Sequence, residues 1–360
     1  MSRRNQLLLV AAALVWGAAL ALLQPWRGGA HERTSAAVRP LFPDLPDRLE
    51  EVVRIEVRGP DGGLTHLSAR GGRWWVDERE HPADPLRLVQ LTESLQNLET
   101  RDPVSVNPEN FSVYDVGPGQ GTRVTLLDAE GGVVADWILG KLRSQEVESG
   151  AVPVLEFYMR RADGDEVYLS GDAIQPPTDP ADWLDTRFLA AVEDDDVDWV
   201  ERQDLVGGES WRIERGAGDD EPKWWLAAPP PRRPAWDFAG DSLVYTLIGL
   251  RAVDVAQRLD PDAEPPESMG FTRDRFRVGV GDDVLTLELG GSDGAGHRYL
   301  RVGRLPWVYL LDDFTVDQLR QATADMLPPP DDGDAPDLEA PSASDGGGPG
   351  AIEDHGEGER

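Results

Sequence analysis

The sequence predicts an α+β protein: an N-terminal transmembrane helix followed by two repeated, mostly antiparallel β-rich units, each with one main helix. Three observations predict it. Apolar residues alternate with polar ones in short runs bounded by Gly, Asp and Pro, the mark of strands with one buried face. A leucine stripe at helical spacing stands in the middle of the first such series. The same landmarks then return about 150 positions later.

The chain opens with Arg3 and Arg4, then an uncharged run from Leu7 to Leu23. As a helix this run is about 25 Å long, near the short end of what spans a hydrocarbon core. The arginine pair favours a cytoplasmic N-terminus and Trp26 suits the opposite interface, so everything after residue 27 is expected outside the inner membrane. A cleaved signal peptide is the competing reading, because Ala19-Leu20-Ala21 offers small residues at a cleavage site. Leu22 and Leu23 carry the apolar run past that site and favour a retained anchor over residues 1–27. Residues 28–50, with Pro40, Pro43 and Pro46, read as a linker. The first unit is placed at 51–192 and the second at 193–327. Residues 328–360 are rich in Pro, Gly, Ser, Asp and Glu and read as a disordered acidic tail.

In the first unit Val53, Ile55 and Val57 alternate with polar residues, as do Val124 and Leu126; in the second, Leu285, Leu287 and Leu289 do the same. Pro60-Asp61-Gly62-Gly63, Asp163-Gly164-Asp165 and Gly281-Asp282-Asp283 predict hairpin turns. Leu88, Leu91, Leu95 and Leu98 predict a helix with Asp84 as N-cap and Pro85 in its first turn, and the second unit repeats it from about Phe238 to Arg251. The repeat is carried by order. Arg73-Trp74-Trp75-Val76 returns as Lys223-Trp224-Trp225-Leu226, and Pro82-Ala83 as Pro234-Ala235. Leu91, Leu95 and Leu98 return as Leu243, Leu247 and Leu250. Leu139-Gly140 matches Leu289-Gly290, and Val167-Tyr168-Leu169 matches Val308-Tyr309-Leu310.

Composition bounds the function. Lys+Arg total 35 against 67 Asp+Glu, a formal charge of −32, which lacks the basic footprint that nucleic acid requires. Zero cysteines remove disulfides, thiolate metal ligands and cysteine nucleophiles. Lys141 and Lys223 are the only lysines, and neither stands in a glycine-rich phosphate loop. An acidic, lysine-poor surface fits an exported domain adapted to high salt, and a GC-rich genome is the alternative source of Arg in place of Lys. His31, His66, His81, His297 and His355 show no metal-ligand spacing. Glu193-Asp194-Asp195-Asp196 and Asp331-Asp332-Gly333-Asp334 lack the pattern of a calcium loop and read as solvated acidic stretches. No metal, cofactor or catalytic residue is expected.

Two features are weighed for function. Gly240-Asp241-Ser242-Leu243 spells an esterase and lipase motif whose Ser is a nucleophile. Here it falls inside the second predicted helix, and no Asp-x-x-His follows, Asp293 standing four residues before His297, so a helix segment is favoured. Trp75 and Trp225 are the candidate partner contacts. Successive strand residues point to opposite faces, so one ring of each pair can enter the core while the other meets solvent or a partner. Cover by the helix or the other unit is the alternative, and Trp183, Trp199, Trp211, Trp236 and Trp307 read as packing.

The basic anchor, the strand Val53-Arg54-Ile55-Glu56-Val57, the Gly-Gly-x-Trp strand at Trp74, the Pro82-Ala83-Asp84 helix start, Leu139-Gly140-Lys141 and the run Trp183-Leu184-Asp185-Thr186-Arg187-Phe188-Leu189 together resemble the bacterial family known as domain of unknown function 4340 (DUF4340). The second unit fits more loosely: Trp236 is inserted before Asp237, and Met269-Gly270-Phe271 is a vague counterpart of Tyr114-Asp115-Val116. Members of that family are anchored exported proteins, frequently encoded near ABC transporters of the gliding-motility type, with no established catalytic residues. The resemblance implies a non-enzymatic accessory protein of the inner membrane with its bulk in the periplasm or an equivalent extracytoplasmic space. An ABC transporter permease or auxiliary subunit is the implied partner. An envelope glycan-binding module using exposed Trp, and a serine hydrolase at Ser242, are the alternatives.

Overall fold

The alternating runs pair as antiparallel strands in a computed structural model that describes residues 39–329 apart from 97, 101, 146–153, 171–174, 190, 219–220, 261–262 and 272–273. The expected anchor at Leu7–Leu23 and nearly all of the acidic tail lie outside the described residues. Among the described residues no helix is long and apolar enough to cross a membrane.

In chain order, β1 (Arg39–Pro40) and the short helix α1 (Leu45–Arg48) precede β2 (Arg54–Arg58), β3 (Leu64–Arg70), β4 (Arg73–Val76) and β5 (His81–Pro82). Helix α2 (Pro85–Gln96) and β6 (Glu99–Thr100) lead to β7 (Thr122–Leu127), β8 (Val133–Gln145), β9 (Val154–Arg161) and β10 (Tyr168–Ser170). The second series is β11 (Val197–Asp204), β12 (Trp211–Arg215), β13 (Trp224–Ala228), β14 (Arg233–Pro234), α3 (Asp237–Ile248) and β15 (Asp254–Arg258). It ends with β16 (Asp274–Val280), β17 (Asp283–Ser292), β18 (His297–Val302), β19 (Trp307–Asp312) and α4 (Asp313–Leu319).

Two large sheets result, mostly antiparallel β with a few helices. The eight-stranded sheet runs β10-β9-β8-β7-β2-β3-β4-β5, and the nine-stranded sheet runs β14-β13-β12-β11-β16-β17-β18-β19-β15. Read from opposite ends the two orders coincide, with β15 added beyond β19. At the corresponding place in the first series, β6 pairs with β1 instead. The buried positions follow the alternation: Ile55, Val57, Leu67, Val76, Val124 and Leu126 in one sheet, Val200, Ile213, Leu226, Phe276, Val278 and Leu287 in the other. One core cluster runs through both sheets. Within the stretch read as a linker, Leu41 and Leu45 are buried in that core, and the Leu41 amide donates to the Leu98 carbonyl.

The helices lie where the leucine stripes put them. Asp84 caps α2, its Oδ1 accepting from the Leu86 amide at 2.9 Å, and Leu91 and Leu95 face the core with Leu98 just past the helix end. In α3 the buried face is Ala239, Gly240, Leu243, Val244 and Leu247. The short helix α4 has no leucine stripe and is not anticipated by the sequence; Asp312 caps it, accepting from the Thr315 amide at 2.8 Å.

The Leu-Gly landmarks have one cause in both sheets. A β-carbon on Gly140 would stand 2.1 Å from the Tyr114 carbonyl oxygen, and one on Gly290 would stand 2.5 Å from that of Met269. Only glycine permits so close a backbone approach. Both glycines sit where the strand slips register against its neighbour. Asp115 and Gly270 follow those carbonyl-bearing residues and share left-handed backbone, at φ +57° and +64°. Met269-Gly270 is thus the structural counterpart of Tyr114-Asp115. Backbone path is repeated there, and side-chain identity is not.

Candidate functional site

The two sheets meet where the β4–β5 end of the first approaches β15 and β19 of the second. Arg79, in the turn after β4, reaches both carboxylate oxygens of Asp254 at 2.7 and 2.8 Å. Glu80 pairs with Arg258 at 3.0 Å, and its carbonyl accepts from Trp307 Nε1 at 3.2 Å. Thr186 Oγ1 donates to the Ala252 carbonyl at 3.0 Å.

At the centre is His81, only 2% exposed. Its Nδ1 donates to the Pro82 carbonyl at 2.8 Å, and its Nε2 accepts from the Tyr309 hydroxyl at 3.1 Å. This tautomer is assigned from the partners, since the Pro82 carbonyl can only accept. The ring lies edge-on to Trp307 at 4.6 Å and to Tyr309 at 5.6 Å, and Phe188 packs on Tyr309 at 4.9 Å.

The electrostatics keep this centre neutral. Burial lowers the His81 imidazole to about 4 despite its bond to the Pro82 carbonyl, and Arg73 pushes the same way. Burial, followed by the nearby Asp185 charge, raises the Tyr309 hydroxyl, so it stays a donor. The Asp185 carboxyl is raised by burial and then by Asp84, against the pull of Arg187 and Arg73. Asp84 itself accepts from Arg187 at 3.2 Å. Arg79, Tyr309, Trp307 and Thr186 each spend a donor on the other side of the junction, which suits mechanical coupling of the two sheets.

Trp75 is half-buried and its ring faces Trp307 across the junction at 6.5 Å. Trp225 is half-buried on β13, and the Arg232 guanidinium lies 4.0 Å above its ring. The two rings hold matching places, Trp75 opposite Pro82 and Trp225 opposite Pro234. Among the described residues no ring contact joins them. Trp224 and Trp183 are fully buried, and Trp183 Nε1 donates to the Pro177 carbonyl at 2.9 Å.

The tetrapeptide Gly240-Asp241-Ser242-Leu243 lies mid-helix, and three of its four residues have packing duties. A β-carbon on Gly240 would stand 2.4 Å from the Trp224 ring. Asp241 accepts from Trp224 Nε1 at 2.9 Å and pairs with Lys223 at 2.7 Å. Burial alone would raise its carboxyl, but those two bonds together with the Lys223 and Arg215 charges outweigh it and hold the carboxyl below the usual carboxylate range. Leu243 is wholly buried. The Ser242 carbonyl accepts from Thr246 Oγ1 at 2.8 Å, and among the described residues no histidine stands within hydrogen-bond reach of the Ser242 hydroxyl.

The other titratable landmarks are locally engaged. His66 Nδ1 lies 2.6 Å from Glu78, His297 Nδ1 lies 2.9 Å from Asp293, and Glu193 with Asp196 forms a capping box around a single helical turn. Sequence reasoning missed the pairing of His81 with Tyr309, which lie 228 residues apart. The landmark Val308-Tyr309-Leu310 was the one local signal near it.

A family model described as Domain of unknown function (DUF4340) matches residues 74–268, more than half of the chain. The match begins in β4 and ends beyond β15, so it includes α2, α3, His81 and Asp254 and strands of both sheets. No curated protein and no solved structure matches the chain.

Proposed function

The chain belongs to the DUF4340 family, and we propose that this member is a non-enzymatic, membrane-anchored extracytoplasmic accessory protein supporting an ABC-type transporter or envelope complex. The observation that carries the reading is the junction. Two sheets of one strand order are held by the Arg79–Asp254 pair, the His81–Tyr309 bond and the Trp307–Glu80 bond, so they act as one stiff body. A stiff body of this kind passes a force or a position from one contact to another without having to react with anything. The uncharged run from Leu7 to Leu23 behind Arg3 and Arg4 supports attachment of that body to the inner membrane.

The test uses the tagged full chain in its native membranes. Resistance to alkaline extraction, and co-purification of permease or ATPase subunits in mild detergent, are the expected results. Release of the mature chain at alkaline pH, or its recovery free of any transporter subunit, would overturn the reading. Hydrolysis of model esters lost in Ser242→Ala would turn it toward the hydrolase.

A further inference from the structure

Every exposed aromatic side chain among the described residues lies on α3, its N-cap or α4: Trp236, Phe238 and Tyr245, which are 38%, 66% and 81% exposed, and Phe314, at 72%. These rings are not spare core residues. The inner face of α3 is already filled by Ala239, Leu243, Val244 and Leu247, and α3 packs beside α4, whose Val316 and Leu319 are buried. Phe238 and Tyr245 stand seven residues apart, two helical turns, and so share the outer face. The Trp236 ring extends that face, 5.0 Å from Phe238.

The repeat supplies an internal control. The positions of α2 that correspond to Phe238 and Tyr245 are Leu86 and Glu93. Both units need the inner leucines for packing, and only the second displays aromatic rings outward. Packing therefore does not account for them, whereas aromatic side chains are enriched at protein interfaces.

The surroundings are acidic. Tyr245 borders a cleft of about 430 Å³ whose other walls are Val192, Glu193, Asp194, Asp241 and Ile248. Asp237 flanks Phe238, while Asp313 and Asp317 lie on α4. Of the nearby cations, Lys223 pairs with Asp241 at 2.7 Å, Arg298 with Asp313 at 3.0 Å, and Arg232 lies over the Trp225 ring. Carboxylates around open rings repel an anionic bilayer and favour Arg or Lys, which can lay an aliphatic stem on Val192 and Ile248 and a cation on a ring.

We propose that the outer face of α3 and α4 docks a basic, amphipathic segment of a protein partner. This rests on the accessory reading for which protein brings the segment, and on the aromatic face and its charge for the chemistry.

The experiment places the full chain in zwitterionic-lipid nanodiscs, with empty discs as the blank. The probe is a labelled 18-residue peptide of Arg and Leu at helical spacing, with a twin carrying Glu for Arg. Binding of the Arg peptide is expected to fall at least tenfold in Phe238→Ser/Tyr245→Ser, to weaken with added salt, and to persist in Leu86→Ser/Val89→Ser. Peptide-induced protection from hydrogen exchange is expected over residues 236–248 and 313–319. Unchanged binding by the aromatic double variant would overturn the proposal, as would equal binding of the Glu twin. Protection of the same residues by a second copy at rising concentration, or by anionic vesicles instead of peptide, would overturn it too. The failures separate: peptide binding on α3 without any transporter complex in native membranes supports the docking face and sinks the accessory reading. A complex indifferent to the aromatic double variant sinks the docking face alone.

Discussion

Replacing His81 by Phe keeps an aromatic ring against Trp307 while removing the imidazole titration from the centre of the junction. The wild-type imidazole falls from its ordinary 6.5 to about 4 because it is buried. A depressed histidine means that the folded protein holds fewer protons than the unfolded chain between those values. Its stabilising effect is therefore complete above pH 6.5 and is lost as pH falls toward 4. A gap of about 2.5 units corresponds to about 3 kcal/mol in all, of which about 2 kcal/mol is gone by pH 5. In the variant the bonds to the Pro82 carbonyl and the Tyr309 hydroxyl are absent at every pH, at a cost of about 1–3 kcal/mol. Urea unfolding of the full chain, followed by tryptophan fluorescence at steps from pH 7.5 to 4.5, reads both effects. The variant is expected to be weaker at pH 7.5 and to close about 2 kcal/mol of its deficit by pH 5. The carboxylates common to both proteins cancel in the difference. Parallel profiles through this window would refute the buried, neutral His81.

Gly140→Ala and Gly290→Ala each force a β-carbon onto a carbonyl oxygen, and each is expected to cost at least about 2 kcal/mol in thermal melting; a change below about 0.5 kcal/mol would remove the close-approach explanation. A double-mutant cycle on Arg79 and Asp254, each about a quarter exposed, is expected to give a coupling of about 1 kcal/mol, and zero coupling would mean that the pair does not join the sheets. Asp274 is 3% exposed and bonds to both Arg202 and Arg320, so Asp274→Asn leaves two arginines facing each other at an expected cost of about 3 kcal/mol in urea. The excess of carboxylates predicts that raising KCl from 0.1 to 1 M (about 10 to 3 Å of screening length) increases the unfolding midpoint, and an unchanged midpoint would count against an acidic surface adapted to salt.

Residues whose role is fixed by neighbours within a few positions were legible in the sequence. Asp84 and Pro85 announce the start of α2, and Val53, Ile55 and Val57 announce β2, because capping and alternation are local. The Trp74 and Trp224 landmarks identify β4 and β13, and the leucine stripes identify the buried faces of α2 and α3. Strand order had no such signal, since β2 pairs with β7 across a helix and more than fifty residues. The correspondence of Met269-Gly270 with Tyr114-Asp115 was faint because the shared property is a left-handed backbone, open to Asp and Gly alike. The junction was hidden for the same reason of distance: His81 and Trp307 look like scattered polar and aromatic residues until the two sheets meet. Gly240-Asp241-Ser242-Leu243 shows the opposite hazard, a short motif whose Gly, Asp and Leu are accounted for by a tryptophan ring and a core.

The two prolines that marked the repeat sit on outermost strands. Pro82 ends β5 and Pro234 ends β14, each only two residues long, and each closes one edge of its sheet. Proline has no amide hydrogen to offer the next strand, and a two-residue edge is too short to template one. If copies crowd one bilayer, as the proposed anchor at Leu7–Leu23 would arrange, the Pro234 end-stop discourages neighbouring molecules from zipping edge to edge. The β5 edge is already covered by the Ala83–Leu184 bridge and by the Asp185 amide on the Pro82 carbonyl. The two sheets thus share, along with their strand order, a short proline-ended strand at the matching edge.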